Sequence, residues 1–357
     1  MAIIDLYGHE SLKKRLAESV RSSTLPSSLL FHGPRGVGKQ RLALWVAQTL
    51  LCTEDSPPCG KCKSCRYVGE LTHPDLHWVF PRPRLKDPDP DLDQVRDDYG
   101  EATTERAAAS GLYPAPSGSE GIYVATVRSL VQRASMTPAM GNAKVFIVGD
   151  AERMVPQEGS DMAANAFLKL LEEPPADTTI ILTSSEPGAL LPTIRSRVVA
   201  VRVPLVGDAA VKAFLATPAV KAALDAARRG GTDAERQRAA AGAPGRLFSG
   251  DTDARATLAA RKIIDAAVGE KKSQRYLAAL SQGSASARGA FSETLDSLVE
   301  LLGERARDAL HREDHRSAAS AAKAVDAVLQ AQTRAAGNVS PQLIAAKLIR
   351  ELSSTLR

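Results

Sequence analysis

Aromatic residues are scarce, with two tryptophans, six tyrosines and seven phenylalanines making up 4% of the 357 residues. Together with a rising alanine content towards the C-terminus, this leans the chain towards helix. Long apolar runs are missing too. None reaches the roughly 18 residues that a membrane-spanning helix needs, and no charged-then-apolar segment opens the chain, so no membrane partner is expected. Neither sign of charge dominates: 46 Lys and Arg stand against 41 Asp and Glu, for a net +5. That balance permits contact with nucleic acid without establishing it. Cysteine is confined to Cys52, Cys59, Cys62 and Cys65. Such clustering argues against a disulfide framework tying distant parts of a secreted chain, and for a metal in a reducing, cytoplasmic setting.

What is there, at 44% hydrophobic, is enough to bury more than one core. Short β-branched runs at Ser28–His32, Asp75–Phe80, Lys144–Gly149, Thr179–Ser184 and Val198–Val203 predict strands. Helical patterns fall between them, one with Ala164, Phe167, Leu168 and Leu171 on a single stripe. Strand and helix in alternation give an α/β fold with a parallel sheet. The proline-rich, acidic stretch 81–121 breaks the rhythm and reads as a solvated, partly mobile insertion, or else an acidic partner-binding loop. After Pro204 the strands stop. Residues 205–250 read as a small helical unit and 251–357 as wholly helical, with Phe291, Leu295, Leu298 and Leu302 on one face and Ser340-Pro341 opening a last helix. Three domains are expected: 1–204, 205–250 and 251–357.

Gly33, Pro34, Arg35, Gly36, Val37, Gly38, Lys39 and Gln40 form a GxxxxGK loop between an expected strand and an expected helix. The glycines let backbone N–H groups point inward at phosphate oxygens, the helix terminus adds positive charge, and Lys39 reaches the β- and γ-phosphates. The alternative is a glycine-rich strand-to-helix turn without a ligand. Gln40 stands where a hydroxyl normally meets Mg²⁺. Asp150 supplies the acid at the end of a neighbouring strand, but Ala151 occupies the place of a water-orienting glutamate. Glu152, one residue further on, is expected to point elsewhere. A site that is empty, or occupied but slow, is the expectation.

Cys52-x6-Cys59-x2-Cys62-x2-Cys65 offers four thiolates, enough for a closed tetrahedral zinc site of structural type. The spacing of an iron–sulfur run fails at Gly69. With Lys61, Lys63, Arg66 and Tyr67 alone beside it, the cluster is too thin for a nucleic-acid module.

These residues, with Tyr7–Glu10, KVFIVGDAERM, ANAFLKLLEEPP, LPTIRSRV, GAPGR and GNVSPQLIAAKLIREL, resemble bacterial DNA polymerase III clamp-loader subunits of the AAA+ class. The resemblance covers the chain apart from 81–121. It implies a P-loop three-layer domain, a helical lid and a helical collar. It also implies a place beside gamma/tau and delta subunits in a five-membered ring that sets a sliding clamp on primed DNA. The setting would be cytoplasmic and nucleoid-associated, with polymerase activity in another subunit. Arg197 would be an arginine finger serving a neighbour's ATP site, with an ordinary solvated arginine as the alternative. Ser184 or Ser185 would be the polar sensor, and Arg246 a second arginine sensor or a helix cap. The motor subunit of the same family is the rival reading, opposed by Gln40 and Ala151.

Overall fold

Five short apolar runs form strands in the computed structural model: β1 (Ser28–His32), β2 (Leu76–Val79), β3 (Lys144–Val148), β4 (Thr178–Ser184) and β5 (Val199–Arg202). The structure describes residues 2–87, 89–116, 120–154, 161–227, 230–248, 251–282, 288–335 and 339–356. Among the residues singled out above, Pro88 and 117–119 of the insertion, the Ala164 side chain, Gly250, Gly337 and Asn338 lie outside that set. The strands pair in parallel in the order β2-β3-β4-β1-β5. β1 thus lies between β4 and β5, and the crevice beyond its carboxyl end is where an open α/β sheet takes a ligand.

Alternation along the strands builds two cores. Leu29, Phe31, Val145, Ile147 and Ile181 face α1 (Glu10–Arg21), α2 (Lys39–Leu51) and α3 (Lys63–Gly69). Leu30, Phe146, Val148, Ile180 and Leu182 face α5 (Val124–Ala134), α6 (Asp161–Glu172) and α7 (Pro192–Arg195). Both faces are covered, so the strands read as continuous apolar runs. Phe167 and Leu171 are buried in the second core, and Leu168 packs against it.

The stretch 81–121, expected to be an insertion, has secondary structure of its own. It contains α4 (Leu92–Ala108), opened by a reciprocal cap in which Asp91 accepts from the Gln94 N–H and Gln94 accepts from the Asp91 N–H. The Tyr99 hydroxyl donates to the Phe80 carbonyl at 2.7 Å, just past edge strand β2. Arg82 forks onto Asp98 at 3.0 and 2.8 Å, and Ala102 enters the first core. Acidic residues dominate the solvent side, which is why the sequence reads as loop. The helix follows the edge strand, whose unpaired backbone groups need cover.

The chain divides into two compact units, Met1–Phe248 and Ser249–Arg357. Within the first, α8 (Asp208–Ala216), α9 (Pro218–Ala226) and α10 (Asp233–Ala240) build a small core of Val211, Phe214, Leu215, Val220 and Leu224. Ile4, Tyr7 and Leu112 pack into it, and the Tyr7 hydroxyl bonds Thr217 Oγ1 at 2.6 Å. The second unit comprises α11 (Asp251–Val268), α12 (Lys272–Leu280), α13 (Arg288–His311), α14 (His315–Ala335) and α15 (Pro341–Thr355). Phe291, Leu295, Leu298 and Leu302 are buried together against Ala324, Val328 and Ala331, small side chains that let helices approach closely. Pro341 opens α15, but the Ser340 hydroxyl makes no capping bond. Among the described residues no helix is long and apolar enough to cross a membrane.

Candidate nucleotide site and metal centre

The loop Gly33–Gln40 leaves the carboxyl end of β1 and runs into α2. Gly36 has φ 77°, and a Cβ there would lie 2.6 Å from the Arg246 nitrogen. The Gly245 N–H donates to the Gly36 carbonyl at 2.9 Å, so the GAPGR segment closes directly over the loop. His9 Nε2 sits 3.0 Å from the Val37 carbonyl, which can only accept, and this assigns the ring proton to Nε2.

Lys39 is buried, and its ammonium has three protons to place. Two go to the carbonyls of Gly33 and Pro34, both at 2.9 Å, strapping the mouth of the loop. The third goes to Ser185 Oγ at 2.9 Å. Ser185 is therefore the serine facing the loop. Ser184 Oγ instead accepts from the Glu186 N–H. Burial pushes the Lys39 ammonium down to about 8, against the pull of Asp150 and Glu152.

Gln40 does something its position in the motif does not suggest. Its Oε1 accepts from the Trp78 indole at 3.0 Å and its Nε2 donates to Asp150 Oδ2 at 3.0 Å. Indole is a donor only, so the orientation of the amide is fixed. Gly149 makes room: a Cβ there would meet Gln40 Oε1 at 2.5 Å and Cδ at 2.6 Å. Asp150 itself has φ 48° and turns the chain sharply at the end of β3.

That turn also sets the direction of Glu152. The alternation of a strand no longer applies, and Glu152 Oε1 comes round to accept from the Ser185 N–H at 3.0 Å. Its Oε2 is buried without a hydrogen-bond partner. Burial and then the Asp150 charge push its carboxyl up to about 7. Behind Trp78, α4 delivers Arg106 into a cage of rings, its guanidinium carbon 3.2 Å from the Phe80 centroid, 3.7 Å from Tyr113 and 4.6 Å from Trp78. Trp78, Glu152 and Arg106 were not legible as site residues. Each depends on which strand ends lie side by side.

Arg197 lies elsewhere. β1 pairs β5 in the register Leu29↔Val199, so Arg197 precedes the amino end of β5 while Gly33 follows the carboxyl end of β1. At least four strand residues, about 13 Å, separate those levels. Arg197 Nε donates to Glu172 Oε2 at 3.1 Å and its Nη1 to the Thr193 carbonyl at 3.0 Å. Glu172 belongs to the LLEEPP segment, so the two motifs meet at this arginine. The pair is largely solvent-facing and is worth no more than about 1 kcal/mol.

The four cysteines converge. Cys62 caps α3 and its sulfur accepts from the Cys65 N–H at 3.4 Å, while Cys59 Sγ accepts from the N–H groups of Lys61 and Cys62 at 3.3 and 3.2 Å. Sulfur–sulfur distances are 3.9 Å for Cys52–Cys62 and for Cys59–Cys65, and all four lie within 4.8 Å of one another. Thiolates at about 2.3 Å around a tetrahedral ion have edges of about 3.8 Å. The donor set and the geometry fit a metal with no open position. Gln48 Nε2 bonds the Cys65 carbonyl at 3.0 Å, pinning the cluster to α2, the helix that begins at the phosphate loop.

Comparison with known proteins identifies the family. Residues 8–206 match the family model described as DNA polymerase III, delta subunit. The chain is similar to DNA polymerase III subunit delta' of Pseudomonas aeruginosa, 35% identical over 189 residues, which is 52% of this chain and 46% of that one. It is likewise similar to DNA polymerase III subunit delta' of Bacillus subtilis, 30% identical over 52% of this chain and 44% of that one. The chain spans under half the length of these relatives. Among solved structures, a DNA polymerase III gamma subunit-related protein of Thermotoga maritima is 18% identical over 98% of this chain and 99% of its own, with a TM-score of 0.37.

Proposed function

The chain belongs to the family described as DNA polymerase III, delta subunit, and we propose, proceeding from that membership, that it is a delta-prime subunit of the bacterial clamp loader. In this role it joins gamma/tau and delta subunits in a five-membered cytoplasmic ring, associated with the nucleoid through the replisome, that loads the sliding clamp onto primed DNA. It hydrolyses little or no ATP itself and gives Arg197 to a neighbour.

One observation carries the reading: Gln40 bonds Asp150 directly, where a hydrolysing site keeps a hydroxyl and a carboxylate for magnesium. The gamma/tau motor reading has no such arrangement to draw on. The placing of Arg197 supports the second half of the proposal. A guanidinium a sheet length from its own phosphate loop has no phosphate to serve within the chain, and a finger supplied in trans accelerates phosphoryl transfer by large factors. Its solvent-facing pair with Glu172 is weak and costs little to release. The Cys₄ centre holds a structural Zn²⁺ that fixes α2 against α3.

The test is Arg197→Ala in a reconstituted loader. ATP turnover should fall about 10³-fold or more while gel filtration shows the ring intact. Unchanged turnover in an intact ring defeats the assignment.

A further inference from the structure

A phosphate loop of this kind normally works with a divalent ion, and the residues around it do not fit one. Magnesium demands a near-octahedral shell of oxygens at about 2.1 Å, reaching its carboxylate directly or through water. Here an amide nitrogen, which has no lone pair to offer a cation, stands 3.0 Å from Asp150 Oδ2. Turning the amide over would set its NH₂ against the Trp78 indole N–H, leaving both donors without an acceptor. Swinging the side chain aside would cost both bonds. The fit against Gly149 leaves no slack in that direction.

Arg106 lies with Nη1 buried and without a hydrogen-bond partner, held flat among Phe80, Tyr113 and Trp78. Burial lowers the basicity of its guanidinium, with Tyr113 and then Asp150 pulling the other way. The indole of Trp78 therefore touches both Gln40, by a hydrogen bond, and Arg106, through its ring.

We propose that Gln40 takes the place of the divalent ion at Asp150, so that the loop binds the phosphates of a nucleoside di- or triphosphate without metal. The proposal rests on the loop being the nucleotide cradle of the reading above. Lys39, the loop amides and the amino end of α2 supply the phosphate contacts. Asp150 Oδ2 already accepts from Gln40, so the amide stands where a hydrated ion would approach it.

The experiment is ADP and ATP binding to the full chain, followed by calorimetry and by tryptophan fluorescence, in EDTA and in excess Mg²⁺. The proposal expects dissociation constants that agree within about twofold between the two conditions. Tightening by about tenfold or more in Mg²⁺ overturns it. Failure to bind in both conditions overturns it equally, yet leaves the finger test on Arg197 untouched, so the two readings fail separately. In Gln40→Thr, which restores a hydroxyl and frees Asp150, binding should become Mg²⁺-dependent. Metal-independent binding by a variant with a wild-type circular dichroism spectrum counts against the role given to Gln40. Because the first comparison uses the unaltered chain, a poorly folding variant cannot rescue the idea.

Discussion

Replacing Glu152 by glutamine should stabilise the protein in mildly alkaline solution and leave it unchanged in acid. The carboxyl accepts one N–H, from Ser185, and leaves its second oxygen buried without a partner beside Asp150. Its proton is held up to about 7, against an ordinary 4.5. At 1.36 kcal/mol per unit, ionising it in the folded state costs roughly 3 kcal/mol more than in the unfolded chain. The sign follows from proton counts. Between about 4.5 and 7 the unfolded chain has lost this proton while the folded chain retains it, so wild-type stability falls as pH rises through that window and is flat above it. Glutamine keeps the acceptor for Ser185 and carries no charge. The advantage of Glu152→Gln should therefore be near zero at pH 4.5, grow through pH 6, and level off at roughly 2–3 kcal/mol above pH 7. Urea unfolding read by tryptophan fluorescence suits the purpose, since Trp45 and Trp78 both lie in the first compact unit. An offset that does not vary between pH 5 and 8, or a variant weaker than wild type at pH 8, would refute the electrostatic picture of this corner.

Other expectations follow from the same geometry. Asp75 is buried and accepts from the N–H groups of Ala139 and Met140, so Asp75→Ala should cost about 2–4 kcal/mol in the same assay. Metal analysis should return about one zinc per chain, and Cys62→Ser should lose it with a fall in Tm on the order of 5–10 °C. Because Lys39 loses its proton near pH 8, nucleotide affinity should weaken from pH 7 to 9, with proton uptake visible when calorimetry is repeated in buffers of different ionisation enthalpy. Glu172→Ala should reduce turnover of a reconstituted loader less than Arg197→Ala does, since it loosens the finger without removing it.

The sheet was legible because buried parallel strands announce themselves as short β-branched runs, and the loop and cysteines because their spacing is local. The helix α4 escaped notice since few of its side chains, Val95, Tyr99 and Ala102 among them, face inward. The Asp91–Gln94 cap was the one sequence signal that marked it. The register Gln40–Asp150–Trp78 joins residues up to 110 positions apart and appears only when β2, β3 and β1 are aligned. Periodicity cannot supply that. The contact of Glu152 with the Ser185 N–H likewise depends on the left-handed turn at Asp150, which no local pattern announces.

Steady-state ATP hydrolysis by the purified chain, with Mg²⁺ and with or without primed DNA, bears most directly on whether Gln40 has closed this site to catalysis. Turnover should be no faster than that of Asp150→Asn, with DNA or without it. Rapid, DNA-stimulated hydrolysis that Asp150→Asn abolishes would contradict the account.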